Sequence, residues 1–395
     1  MGDLEEKLGI PFAAPKSSSV DLLVISGEHS GDEHAAPMIE SALRMRPDLK
    51  IAAIGGRHSE EAGAQLIFDL VQYSVMGFFD VLKSLKEFTA IRDEIVRWVS
   101  VHRPKVVCFI DYPGLNLRVA EKLFDMGIST KGGGDVALHY YIGPQVWAWK
   151  KKRKYKMAEL LDSLAVIFPF EVDAFEDTTL STRFVGHPFL SEGFDLPVQY
   201  DPSGPILLLP GSRSTVVGRI APAFFAAFEE RLKSKLKTEA VCIYASGDLK
   251  TQLEEILVNF PKLRGKVTLS PNDAVVRASA VLTSSGTMSL KCALASIPGA
   301  LAYKADLLTL VLGKIFIKIP FIGIQNLILN KALYPEYLQG KANRKNLSAE
   351  LADCVENVER IKHTRELSSE LRNLLDKPSG GGVGRWIVEK IELQE

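Results

Sequence analysis

The chain has 395 residues, 46% of them hydrophobic and 24% charged, enough for two domains of ordinary size with large cores. Its 48 basic and 48 acidic side chains cancel, which argues against a general nucleic-acid binder. Cys108, Cys242, Cys292 and Cys354 are far apart and form no CxxC pair, so neither a zinc knuckle nor a redox motif is visible, and a reducing cytoplasm fits.

Residues 1–19 are acidic early and lack the apolar core of a signal peptide; they read as a flexible lead-in. The run VDLLVIS predicts a buried strand, and a helix follows from about Glu33 to Arg44. Between them stands SGEHSGD, Ser26 to Asp32. Gly27 and Gly31 permit a tight turn and close approach to a ligand. Ser30 or Asp32 would cap the following helix, whose N-terminus favours anions. A plain strand-to-helix turn explains the serine, glycine and aspartate, but leaves Glu28 and His29 without a task.

Val81, Leu82, Leu85, Phe88, Ile91, Ile95 and Val99 recur at the three–four spacing of an amphipathic helix. KVVCFI is a continuous apolar run of buried parallel-strand type, with Cys108 as a small core thiol. It opens onto FIDYPGLN, Phe109 to Asn116. Asp111 follows the strand directly. A carboxylate there is partly desolvated, which raises its pKa and suits a general base; it would serve equally as a cap for the next helix. In YYIGPQVWAWKKKRKYKM, six of the seven residues from Lys150 to Lys156 are basic, and Trp147 and Trp149 precede them. Aromatic residues beside clustered cations suit the headgroup layer of an anionic membrane, or grip phosphates. A solvated helix face accounts for the charges but not for the tryptophans.

SLAVIF is a further buried strand, and residues 191–205, SEGFDLPVQYDPSGP, read as a linker. The alternation then restarts with ILLLPGS, AVCIYA, KVTLS, SAVLTSSGT and GALAY, separated by helical stretches. The expected class is α/β: two Rossmann-like doubly wound domains facing a cleft, 20–190 and 206–360, with helices in 361–395 packing back on the first. LLLPGSR and TSSGTMSL each end a strand at an expected helix start. Backbone N–H groups at Gly211, Ser212, Ser285, Gly286 and Thr287, with the Arg213 side chain, would hold a diphosphate. Leu307 to Leu329 is the most membrane-like stretch, but Lys314, Lys318 and Pro320 interrupt it, so it reads as amphipathic rather than spanning. No DxD, HExxH or GxSxG occurs, and transfer without metal or cofactor is expected.

Taken in order, SGEHSGD, VMGFFDVL, FIDYPGLN, YIGPQVWAWKKKRKYKM, FVGHP, LLLPGSR, SSGT and IQNLI…YPEYLQ resemble the lipid-A-disaccharide synthases, family 19 glycosyltransferases of the two-domain GT-B type. The resemblance runs from about Val20 to Gln339. It implies an inverting transfer from UDP-2,3-diacylglucosamine to 2,3-diacylglucosamine 1-phosphate (lipid X), giving the β(1→6) disaccharide 1-phosphate and UDP. It implies Asp111 as the catalytic base, with Glu28 the second candidate, and Ser30, His29, Gly31, Asn116 and Trp147 facing substrate. Asn326, Glu336 and Gln339 match family positions near the nucleotide. Met76, Phe78, Phe79, Val81 and Leu82 would offer an apolar face to acyl chains. Trp149, Lys150, Lys151, Lys152 and Arg153 would hold the enzyme peripherally on the cytoplasmic side of the inner membrane. Nucleic acid is not an expected partner, and a homodimer is left open.

Two positions depart from the family pattern. Lys291 replaces a glutamate in SGTMSLK, where related enzymes accept hydrogen bonds from ribose hydroxyls; losing a charged hydrogen bond costs about 1.5–3 kcal/mol. Gly114 stands where many members carry a second aspartate. Three rival readings are a degenerate paralogue that binds nucleotide or lipid without turnover, a UDP-sugar epimerase of the same fold, and a nucleic-acid protein using the basic helix.

Overall fold

A computed structural model describes residues 12–76, 81–147, 150–234, 239–272, 274–304 and 320–395; the side chains of 74–76 and 81–86 fall outside that description. The chain separates into two compact units, Met1–Ser191 with Leu375–Glu395, and Glu192–Leu374.

The first unit holds β1 (Leu22–Ser26), β2 (Ile51–Gly55), β3 (Gln65–Asp69), β4 (Val106–Ile110), β5 (Ala137–Tyr141), β6 (Ser163–Val166) and β7 (Ser181–Phe184). They form a parallel sheet in the order β3-β2-β1-β4-β5-β6-β7. β1, β2, β4, β5 and β6 are buried at every position, as expected of strands covered on both faces. Leu23, Ile25, Val107, Phe109 and Leu138 share one core with Ile91, Ile95, Trp98 and Val99 of the helix Val81–His102. The strand order reverses between β1 and β4, whose ends are level because Ser26 pairs with Ile110. Loops leaving such a reversal diverge and leave a crevice beyond the strand ends.

Three boundaries differ from expectation. Residues 12–16 pack on the unit rather than trail from it. The Phe12 ring lies 4.6 Å from Phe68, and the buried Trp98 indole donates to the Ala13 carbonyl at 2.9 Å. A buried indole N–H needs such a partner. The helix Val358–Leu375 lies, up to Leu374, in the second unit, and only the last helix, Val383–Glu392, packs on the helix His29–Met45. The expected linker contains a strand, described next.

The second unit holds β8 (Val198–Tyr200), β9 (Ile206–Leu209), β10 (Ala240–Tyr244), β11 (Val267–Pro271), β12 (Val276–Ala278), β13 (Ala280–Thr283), β14 (Gly299–Tyr303) and β15 (Glu336–Leu338). Its main sheet is parallel, ordered β11-β10-β9-β13-β14-β15, while β8 pairs with β12. Ile206, Leu208 and Leu282 pack with Phe224, Phe225 and Phe228 of the helix Ser214–Arg231. Here the order reverses between β9 and β13, where Leu209 pairs with Thr283. All four cysteines are buried and free, and burial pushes the Cys242 and Cys292 thiols up to about 12. Of Leu307 to Leu329, residues 307–319 lie outside the described residues. Among the described residues no helix is long and apolar enough to cross a membrane.

Candidate active site

In the first unit, SGEHSGD follows β1 and FIDYPGLN follows β4, so both loops leave the same strand reversal. Gly27 is buried under the Tyr112 ring: a Cβ there would lie 2.1 Å from the ring's Cδ1, so only glycine fits. Glu28 is the N-cap of α1 (His29–Met45) in extended conformation and makes no side-chain cap bond. It is exposed as a residue, yet its carboxyl pKa is raised, first by the surrounding protein and then by the Asp111 charge. His29 and Ser30 are exposed in the first turn, and Gly31 packs against the Ile110 carbonyl. The His29 ring lies 5.2 Å from that of His58.

The expected cap role of Ser30 or Asp32 is not what the structure shows. Asp32 is 1% exposed and reaches away from its own helix to the start of α2 (Arg57–Glu61). Its carboxylate accepts from the N–H groups of Gly56 at 3.0 Å, His58 at 2.9 Å and Ser59 at 3.3 Å, and from the Ser26 and Ser59 hydroxyls. One buried acid therefore ties β1, α1 and the β2–α2 turn together.

Asp111 and Tyr112 are consecutive left-handed residues, φ 46° and 45°, ahead of α3 (Pro113–Asp125). Neither is glycine, and such geometry costs of order 1–3 kcal/mol per residue. The surroundings hold it in place. Asn116 Nδ2 donates to the carbonyls of Ile110 at 3.2 Å and Asp111 at 2.8 Å, and the Tyr140 hydroxyl donates to the Asp111 carbonyl. Asn116, expected from the sequence to face substrate, is fully buried, and its amide braces the turn. Burial raises the Asp111 carboxyl, opposed in part by the Tyr112 N–H, and burial followed by the Glu28 charge raises the Tyr112 hydroxyl. Glu28, Asp111 and Tyr112 thus form one electrostatic group. Tyr112 was not singled out in the sequence.

Trp147 is half-buried in an irregular segment after β5. Its indole N–H donates to Glu171 Oε1 at 3.3 Å, in α4 (Phe170–Asp173). Glu171 is buried, which raises its carboxyl to about 7. No motif in the sequence pointed to it. The basic run divides. Lys150, Lys151 and Lys152 are exposed and Arg153 opens the helix Arg153–Leu160. Lys154 is paired with Asp177, and Lys156 with Glu121 and Glu159. Phe78, Phe79 and Trp149 lie outside the described residues, as do the side chains of Met76, Val81 and Leu82.

In the second unit the loops after β9 and β13 meet at its strand reversal. Gly211 has φ 122°, and Ser284 N–H donates to the Leu209 carbonyl at 2.8 Å, joining the two loops at their base. Ser212 and Arg213 are exposed, Arg213 being the N-cap of α5 (Ser214–Arg231). Gly286 is the N-cap of α6 (Thr287–Leu294), with Ser285 half-buried and Thr287 exposed. Lys291 Nζ lies 5.5 Å over the Phe194 ring.

Asn326 and Glu336, expected near the nucleotide, are closed on each other. Asn326 is fully buried; its Nδ2 donates to the Tyr334 carbonyl at 2.7 Å and to Glu336 Oε1 at 3.0 Å, and its Oδ1 accepts from Tyr334 N–H at 3.0 Å. Glu336 accepts from the N–H groups of Ile322 and Gly323, ahead of α7 (Ile324–Leu329). Both therefore shape the loop ahead of α7. Gln339 has φ 53° and a buried Nε2 without a partner among the described residues.

Residues 22–380 match the family model described as lipid-A-disaccharide synthetase. The chain belongs to the lipid-A-disaccharide synthetase family. It is 34% identical over 350 residues to lipid-A-disaccharide synthase 1 of Legionella pneumophila strain Philadelphia 1, covering 85% of this chain and 87% of that protein. It is 33% identical to lipid-A-disaccharide synthase of Neisseria gonorrhoeae, covering 93% and 96%. As a member of this family, the chain is a disaccharide-forming glycosyltransferase. The crystal structure described as a putative UDP-N-acetylglucosamine 2-epimerase from Listeria monocytogenes shares the fold, with a TM-score of 0.61 over 93% of this chain and 94% of that one. At 12% identity that likeness concerns the GT-B architecture alone.

Proposed function

We propose that this glycosyltransferase joins UDP-2,3-diacylglucosamine to lipid X with Asp111 as the general base. The observation that carries the reading is the desolvated Asp111 carboxyl, locked in a left-handed turn at the strand reversal with Glu28 beside it. The acceptor 6-hydroxyl oxygen attacks the anomeric carbon of the donor from the face opposite UDP. The new C–O bond forms as the bond to the β-phosphate oxygen breaks, so the α-linked donor becomes a β-linked product. The hydroxyl proton passes to Asp111. A raised carboxyl pKa brings the base nearer the working pH, an effect of positioned bases typically worth about 10² to 10⁴ in rate. Glu28 orients the acceptor sugar, and burial keeps the Asp111 proton affinity high.

The departing UDP gains charge on its β-phosphate. The Arg213 guanidinium and the backbone N–H groups at Gly211–Ser212 and Gly286–Thr287 are suited to receive it, because they stand at the N-termini of α5 and α6. Exposed Lys150, Lys151 and Lys152 support peripheral attachment to an anionic membrane face near the lipid acceptor. The test is transfer of radiolabelled sugar from UDP-2,3-diacylglucosamine to lipid X by wild type, Asp111→Asn and Glu28→Gln. Asp111→Asn falling by at least about 100-fold is expected. A fall below tenfold removes Asp111 as base, and UDP release that does not depend on lipid X removes the reaction itself.

A further inference from the structure

Glu171 stands outside every motif that marks the family in this sequence, yet it is among the least exposed acids of the first unit, at 5%. Its two oxygens serve two different elements. Oε2 accepts the Phe168 N–H at 3.1 Å, closing the turn from β6 into α4, and Oε1 accepts the Trp147 indole N–H at 3.3 Å. The Trp147 ring stands edge-on to Phe170, centroids 5.1 Å apart at 87°, and Phe170 stacks on Phe168 at 5.6 Å.

Closing the turn needs one acceptor, which a neutral side chain would supply. Burying a carboxyl is costly unless it is bonded, and burial here raises the group to about 7. The second oxygen is spent on Trp147. That residue belongs to no strand or helix, so no backbone ladder fixes its ring. The Glu171 bond and the Phe170 edge do so instead, three residues ahead of Lys150.

We propose that Glu171 is a positioning residue: its carboxyl holds the Trp147 indole against Phe170 and thereby sets the wall on which the acceptor sugar lipid is seated. This rests on the proposed transfer to lipid X and on the sequence expectation that Trp147 faces substrate.

The experiment is steady-state kinetics, varying lipid X and UDP-2,3-diacylglucosamine separately, on wild type, Glu171→Ala, Glu171→Gln, Trp147→Phe and the double variant Glu171→Ala/Trp147→Phe. Glu171→Ala is expected to raise the KM for lipid X about tenfold, the size of one lost hydrogen bond, with the donor KM within about twofold. Glu171→Gln, which keeps one acceptor for the two donors, restores part of the loss. Trp147→Phe matches Glu171→Ala, and the double variant is no worse than either. Multiplying losses, equal shifts in both KM values, or no shift overturn the assignment. If Glu171→Ala does not fold, Glu171→Asp decides, because its shorter carboxyl cannot reach both donors. The Trp147 emission, obtained by subtracting the matching Trp147→Phe spectrum, should then shift to the red; an unshifted emission also overturns it. Failure of the Glu171 effect with the Asp111→Asn loss intact removes this assignment alone, whereas an unaffected Asp111→Asn removes the reaction on which it rests.

Discussion

The two sheets reverse their strand order in the same way, yet the loops at the two reversals differ in chemistry. At the first, β1 and β4 end in Glu28 and Asp111, two carboxyls with raised proton affinity beside the Tyr112 hydroxyl. At the second, β9 and β13 end in Pro-Gly-Ser-Arg and Ser-Ser-Gly-Thr, with helix N-termini and one exposed cation. On the proposed reading, one crevice holds a proton and the other negative charge. Topology supplies the place, and side chains decide what is done there.

The largest expected break in that contrast is Asp111→Asn, which should lower kcat by about 10² to 10⁴ while the donor KM stays within about threefold. Circular dichroism checks that the turn survives. Next is Asp32→Ala. It strands the N–H groups of Gly56, His58 and Ser59, and should cost about 2–4 kcal/mol of stability in the first unit, read as a lowered denaturant midpoint. Arg213→Ala should act on the other crevice, raising the donor KM or lowering donor kcat/KM about 10 to 100-fold, without moving the KM for lipid X. An equal effect on both substrates would erase the division of labour between the loops.

The smallest effects are those of pH. Glu28 and Asp111 titrate above their ordinary range, so the acid limb of kcat/KM should lie above that of a free carboxylate, and Glu28→Gln should move it downward. For Glu171 burial holds the folded pKa at about 7, above the ordinary carboxylate range. The folded chain therefore keeps its proton longer than the unfolded one. That stabilisation is complete below about 4.5 and is lost as pH rises through about 7, a change of about 3 kcal/mol. Glu171→Gln should flatten the melting temperature over this window; an unchanged slope would mean that the carboxyl is ionised throughout.

Much of the fold was legible in the chain. Continuous apolar runs such as VDLLVI and KVVCFI became buried parallel strands because both sheet faces are covered, and the three–four spacing from Val81 to Val99 became one helix. The loops carrying Glu28, Asp111, Arg213 and Gly286 stood out because glycines and polar groups directly follow such runs. Three details did not. Asp32 looked like a local cap, but its backbone donors lie 24 to 27 residues away. Asn116 and Asn326 looked like ligand groups, and their bracing of backbone carbonyls was not foreseen. Glu171 carried no pattern at all.

The sequence by itself determined which segments are strands and helices, the order that brings particular loops to each reversal, and the family to which they belong. Hydropathy and spacing are properties of neighbouring residues, and they suffice for that. Only the tertiary structure decided which polar groups stay open and which are used up as braces. That depends on donors and acceptors delivered by distant elements, and on how far burial shifts a carboxyl once they arrive.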